Sequence, residues 1–304
     1  MVKNSSRKKK EESIQQSPAV KTQRFGVVDV LIYIFMVMLF LVMVIPFINI
    51  LALSLSGYSS TISNPNMLWP KDFQLNAYRI LFNKEFYRSI FLTIFVVAAN
   101  TTLHIVLCMM AAYPLSKKDL PGRSGILIFV TFAMLFNGGT IPFYILIKGL
   151  HLTDNVLVYI LPGVVAPYTV ILMKNFINQI PSSLEEAAMI DGASHIQVLF
   201  RVVFPLSKPI IATMALFNGV GVWNNWFAGV LFIKDKRLYL IQNVLRELLS
   251  KDDISAFGEI DVTTVSKVSL QMAAIIVTII PIVIVYPFIQ RYFSKGITIG
   301  SVKG

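Results

Sequence analysis

The sequence predicts an all-α, polytopic transmembrane bundle of six spans, and three observations predict it. Of the 304 residues, 55% are hydrophobic and 14% are charged, whereas roughly a quarter of an ordinary soluble domain is charged. Six apolar segments, each reaching the roughly 20 residues that cross hydrocarbon, occupy 27–55, 89–115, 125–147, 156–176, 210–233 and 269–293. Several of them carry Gly, Asn or Pro at depth, where irregular backbone persists only if protein covers it or a wet cavity receives it.

The first 26 residues are polar and basic, with Arg7, Lys8, Lys9 and Lys10 in one run, and they read as a cytoplasmic tail. The apolar stretch that follows outruns a secretory h-region and has no small-residue cleavage site after it, so it reads as a retained first span. The loops 56–88, 116–124, 148–155, 177–209 and 234–267 hold most of the charge and turn formers. With the N-terminus inside, sixteen of the 27 Lys and Arg fall on the cytoplasmic side, and the other eleven share longer loops with most of the acids. That bias places both termini, and the loop 177–209, in the cytoplasm.

The formal charge of +11 therefore reflects membrane orientation rather than a surface for nucleic acid, which the composition excludes. The single cysteine, Cys108, lies within an apolar run and precludes an intrachain disulfide. Three histidines, at 104, 151 and 195, are too scattered to make a metal or catalytic cluster, so neither a metal site nor a catalytic residue is assigned.

The broken spans are candidates for a path through the bundle. Asn137-Gly138-Gly139 with Pro142 interrupts the third, Pro162 and Pro167 mark the fourth, and Pro281 and Pro287 mark the sixth. Simple kinks that fit neighbouring helices together are the alternative for each proline. In the fifth, Asn218, Gly221, Asn225 and Gly229 recur at helical spacing, with Trp223 and Trp226 beside them. Amides in a membrane helix face protein or water, and aromatic rings are platforms for sugars. The set Asn137, Asn218, Gly221, Trp223, Asn225 and Trp226 is accordingly the candidate path lining. Helix packing by the glycines and interface anchoring by Trp226 are the competing roles. Asn100 and His104, one turn apart, read as an interhelical hydrogen-bonding pair.

Residues 181–209 carry the most specific signal. After Pro181, Ser182 with Glu185 or Ser183 with Glu186 fits a capping box, so a short helix starts there and stops near Asp191, ahead of Gly192. A second starts near Ser194, with Ile196, Leu199, Phe200 and Val203 forming one apolar face, and Pro205 and Pro209 end it. Two short cytoplasmic helices joined at a glycine suit a knob seated in a groove of another protein. A helix pair lying on the membrane surface is the competing reading, and its weakly basic polar face opposes it.

Glu186-Ala187-Ala188, then Asp191-Gly192-Ala193, Phe200 and Pro205, resembles the EAA loop of ABC importer permeases. The rest of the chain is similar to the second permease of maltose-type carbohydrate transporters. Its tail resembles theirs over Tyr292-Phe293-Ser294-Lys295-Gly296 and Gly300 to Gly304. Phe136-Asn137-Gly138-Gly139 resembles permeases for complex oligosaccharides.

The resemblance implies the type I importer permease fold, with 27–293 as the permease domain, and a place in a bacterial cytoplasmic membrane. Its implied partners are a homologous second permease, a dimer of ATPase subunits, an extracytoplasmic solute-binding protein, membrane lipid and an oligosaccharide substrate. It also implies that Glu186 pairs with a basic group of the ATPase, that Ala187 and Ala188 permit close approach, and that Ala193, Phe200 and Pro205 belong to the same coupling set. Glu185 is either part of this contact or a cap, and Asp191 either caps the second helix or meets the partner. Gly192 sets the turn, while Gly300, Ser301 and Lys303 reach the ATPase from the C-terminal tail 294–304. No Gly-x-x-x-x-Gly-Lys-Ser/Thr pattern occurs in the chain, so no cofactor is assigned to it and ATP with Mg belongs to the partner. A secondary transporter or channel is the alternative, but coupling would want ionisable residues within the spans.

Overall fold

A computed structural model describes residues 26–250 and 265–300, with side chains through residue 287. The basic tail up to residue 25, residues 251–264, Ser301 and Lys303 lie outside the described residues, and Gly300 is described only as the last backbone position of its helix. All described elements are helical. They are α1 (Val27–Ser54), α2 (Tyr58–Ser63), α3 (Asn76–Leu81), α4 (Lys84–Ser116), α5 (Arg123–Leu135), α6 (Thr140–Gly149), α7 (Leu157–Ile160) and α8 (Pro167–Ile177). There follow α9 (Ser182–Ile190), α10 (His195–Val198), a π turn (Leu199–Val203), α11 (Phe204–Leu206), α12 (Lys208–Trp223), α13 (Phe227–Phe232), a 3-10 turn (Lys236–Leu238), α14 (Ile241–Ser250) and α15 (Lys267–Gly300).

The chain divides into two units, Met1–Ile48 and Asn49–Gly304. Within the first, α1 has a mean hydropathy of 3.0 and no buried residue in its most apolar window. That window lacks a polar face as well as a covered one, the pattern of a helix whose surroundings are as apolar as its side chains, and burial begins only at Ala52, Leu53 and Ser54. Asp29 receives the Gly26 N–H at 2.8 Å and ties off its first turn.

The second unit is organised around α4, a helix of 33 residues started by Asn83, whose side chain accepts the Phe86 N–H at 2.9 Å. Three apolar clusters sit along it. The first packs Cys108, Met109 and Ala112 against Val170 and Met173 of α8, Val198, Val203 and Met214. The second joins Phe86 to α3, Trp223, α14 and the start of α15 through Leu81, Ile241, Leu270 and Ala273. The third sets Val96 beside Ile147, α7 and Phe232. Polar threads cross the same helix: Thr93 Oγ1 accepts the Ile241 N–H at 2.8 Å, fixing where α14 begins.

Among the described residues, three helices are long and apolar enough to cross a membrane, namely α1, α4 and Lys267–Pro287, the last two with mean hydropathies of 2.1 and 2.6. Two bent pairs raise the number to five: α5 with α6 at 110°, and His195–Leu206 with α12 at 81°. The 110° bend falls where Asn137 and the two glycines were expected to interrupt the span, with Gly139 at φ 88° and the Asn137 side chain accepting the Gly139 N–H at 2.9 Å. The 81° bend centres on Ser207, which is fully buried with its hydroxyl unpaired.

The segment 156–176 departs from the expected single helix. It forms α7, of four residues, and α8, of eleven. Pro162 has no N–H to continue the ladder, Gly163 sits at φ 70°, and Pro167 opens α8. Pro281 and Pro287, by contrast, lie inside α15 without ending it.

Candidate coupling site

The helix pair at 182–206 is built outward from one partly buried ion pair. α9 begins after Pro181 with no side-chain cap, so the expected capping box at Ser182 and Glu185, or at Ser183 and Glu186, does not form. Glu185 turns inward instead: it is 4% exposed, pairs with Lys117 and receives the Tyr113 hydroxyl at 3.1 Å. The Lys117 ammonium also lies over the Tyr113 ring, 4.7 Å from its centroid. Glu185 is thus neither a cap nor an exposed contact; it fastens α9 to the last turn of α4.

The turn after α9 is a Schellman motif. The Ala193 N–H reaches the Ala188 carbonyl and the Gly192 N–H reaches the Met189 carbonyl, both at 3.0 Å. Gly192 occupies the left-handed region at φ 84°, and a Cβ there would meet no atom within 4 Å. Backbone conformation, not crowding, is therefore what calls for glycine.

Asp191 is an exposed C-cap of α9 and does not cap α10. That task falls to Ser194, in a reciprocal capping box with Gln197: the Ser194 N–H donates to Gln197 at 2.8 Å, and the Gln197 N–H donates back at 3.4 Å. The Ser-x-x-Gln pattern was present in the sequence and is the signal that finds it.

The π turn alters which side chains face inward. The expected apolar stripe of Ile196, Leu199, Phe200 and Val203 is replaced by Val198, Leu199 and Val203, all buried, while Ile196 is 70% and Phe200 43% exposed. One extra residue per turn rotates the face, and Phe200 is left tilted against Phe204 at 5.9 Å. The outward surface so formed presents Ile190, at 85% exposure, with Leu184, Met189, Ile196 and Phe200. Glu186, Ala187, Asp191, His195 and Pro205 are exposed with them, and Ala188 and Ala193 are half-buried. A cleft of about 450 Å³ beside it is lined by Tyr113, Lys117, Asp119, His195, Ile196 and Leu199 among others.

The candidate path residues are not all on one face. Asn218 donates to Asn100 Oδ1 at 2.8 Å and to Thr101 Oγ1 at 3.2 Å. Asn100 in turn donates to the carbonyls of Ile160 at 2.9 Å and Tyr159 at 3.3 Å. His104 contacts the Val164 carbonyl through Nδ1 at 2.7 Å and Thr169 through Nε2 at 3.2 Å. Asn100 and His104 are thus the interhelical hydrogen-bonding pair expected from their spacing, and they bond to carbonyls at the break between α7 and α8.

Trp223 is buried and its indole N–H donates to the Thr278 carbonyl at 3.1 Å, which takes it out of a sugar platform. α12 ends at that residue, so the expected continuous face of Asn218, Gly221, Asn225 and Gly229 is cut. Gly221 is exposed, Asn225 accepts the Ala228 N–H at 3.2 Å, and Gly229 is buried where a Cβ would collide with the Asn243 amide. Trp226 remains 40% exposed and Asn137 is exposed.

Residues 19–299 match the family model described as the binding-protein-dependent transport system inner membrane component. The chain belongs to that family. It is 39% identical over 282 residues to the polygalacturonan/rhamnogalacturonan transport system permease protein YtcP of Bacillus subtilis (strain 168), covering 91% of this chain and 98% of that one. Identity to the arabinooligosaccharides transport system permease protein AraQ of the same organism is 28% over 291 residues, with 92% and 98% covered. Among solved structures, a chain from a bacterial ABC transporter involved in the import of the acidic polysaccharide alginate superposes with a TM-score of 0.84 at 29% identity. That match covers 90% of this chain and all of the other. The permease is therefore a multi-pass membrane transport subunit of an ABC importer, not an enzyme, and the ATP-independent carrier is set aside.

Proposed function

We propose that this permease carries oligosaccharides inward by alternating access, driven by a separate ATPase dimer that grips the surface presented by α9 and α10. The single observation that carries the reading is the exposed apolar surface around Ile190 and Ile196, bordered by Glu186 and Asp191 and held by the partly buried Glu185–Lys117 pair. Large apolar side chains left outward on two short helices joined by a Schellman turn mark a docking surface rather than a core defect. The names of the relatives, which refer to polygalacturonan/rhamnogalacturonan, arabinooligosaccharides and alginate, support the substrate class.

In this reading the chain crosses the membrane six times with both termini in the cytoplasm. A homologous second permease completes the path, and ATP with Mg is bound by the ATPase. Residues 56–88 and 234–267 face the solute-binding protein, and the Gly300, Ser301 and Lys303 tail reaches the ATPase. Tagged permease purified in mild detergent should bring an ATPase and a second permease with it. The double variant Glu186→Arg, Ile190→Asp should lose the ATPase and import while retaining the wild-type melting temperature, because both side chains are exposed. Unchanged assembly and uptake by that variant would sink the proposal.

A further inference from the structure

The end of α12 remote from the helix pair carries a second built feature. α12 has 16 residues, so about 24 Å separate its two ends, and the break Asn224–Trp226 lies at the far one. There the Arg246 guanidinium of α14 rests on the Trp226 ring, 3.8 Å from its centroid. Asn243, next to it on α14, holds the platform by donating to the Trp226 carbonyl at 2.7 Å. Gln242 donates to the Oδ1 of the exposed Asn224 at 3.2 Å, and that bond leaves the Asn224 amide N–H groups unused. Trp226 is further wedged edge-on by Phe227 at 5.7 Å.

Two other cations close by in sequence are neutralised. Lys236 pairs with Glu247 at 2.6 Å, and Arg237 pairs with Asp235 at 2.9 Å. Arg246 is exposed and, among the described residues, has no carboxylate partner. A guanidinium held over an indole by its central carbon, here 3.8 Å from the ring centroid, still has N–H donors available for a planar acceptor.

We propose that Arg246 on Trp226, with Asn224 beside it, is a specificity site for the carboxylate of an acidic sugar residue at the outer mouth of the path. The site rests on the oligosaccharide reading above and deepens it, since the relatives are named for both acidic and neutral saccharides and the geometry selects the acidic class. Arg246 receives the carboxylate in its fork, the exposed part of the Trp226 ring takes the apolar face of the neighbouring sugar, and Asn224 donates to a hydroxyl.

The test uses the whole transporter assembled in lipid nanodiscs and three probes: trigalacturonate, its methyl ester, and neutral galactotriose. Equilibrium binding should favour trigalacturonate over the ester on the order of tenfold, the size of one charge-assisted contact. Arg246→Gln should erase that preference by weakening the acid alone, and Arg246→Lys should restore part of it. A brace that merely fastens α14 would lower binding of all three probes together, and either that result or an unchanged preference overturns the proposal. Uptake by cells carrying the full transporter separates the two levels. If wild-type particles show no preference for the acid while cells still import any of the three sugars, the site falls and the oligosaccharide reading stands; if cells import none of the three, both fall.

Discussion

Replacing Glu185 by alanine removes the acceptor that the Tyr113 hydroxyl and the Lys117 ammonium share. Breaking a fully buried ion pair costs about 3–5 kcal/mol. Here the Lys117 side chain is 34% exposed against 5% for Glu185, so water recovers part of the ammonium's solvation. About 1–3 kcal/mol is the expected loss, with α9 the first element to detach. Cys108, fully buried in the adjacent cluster, reports the event: a thiol-reactive dye on purified protein should label it at a lower temperature in Glu185→Ala than in wild type. Lys117→Met with Glu185→Leu should recover much of the loss, because two apolar side chains leave no stranded charge. A double-mutant cycle with a coupling energy below about 0.3 kcal/mol would refute the fastening role.

Other expectations follow from single contacts. Gly192→Val forces a β-branched residue to φ 84° and should destabilise the loop by about 1–2 kcal/mol, read as earlier proteolysis between α9 and α10. Asn218→Ala strands Asn100 and should cost about 1 kcal/mol in thermal stability; no change would argue that the amide network is idle. Asp235 is held below the usual carboxylate range, first by its side-chain hydrogen bond with Arg237 and then by the Arg237 backbone N–H. Since its folded value is depressed, the stabilisation is present above the ordinary aspartate pKa and is lost as pH falls through the lowered one. Amide exchange at Arg237, corrected for intrinsic rate, should therefore lose protection only in acid.

What the sequence revealed depended on how local each cause was. Gly192 ends α9 through its own φ, and Asn137-Gly138-Gly139 bends the third segment through its own backbone, so both were readable in place. Glu185 was not: Ser-x-x-Glu is a valid cap pattern, and only Lys117, 68 residues away, draws the carboxylate inward. Trp223 was assigned to a path for the same reason, since the Thr278 carbonyl that claims its indole is 55 residues distant. Pro162 and Pro167 announced trouble in the fourth segment, but hydropathy could not show that Asn100 and His104 would bond to carbonyls at the break there. The apolar spacing at 196, 199, 200 and 203 assumed an α-helical period, which the π turn violates.

The 81° corner at Ser207 makes the helix pair and α12 the two limbs of a bell-crank. The short limb spans about 18 Å and the long limb about 24 Å at the helical rise of 1.5 Å per residue. With rigid limbs, a sideways shove of about 3 Å at the tip of the first swings the far end of the second by about 4 Å, roughly the width of one strand of chain. The corner residue is sealed from water and its hydroxyl ties neither limb to the other, so travel there is opposed by packing and by the backbone hydrogen bonds that Ser207 makes to Val203, Phe204 and Ile211.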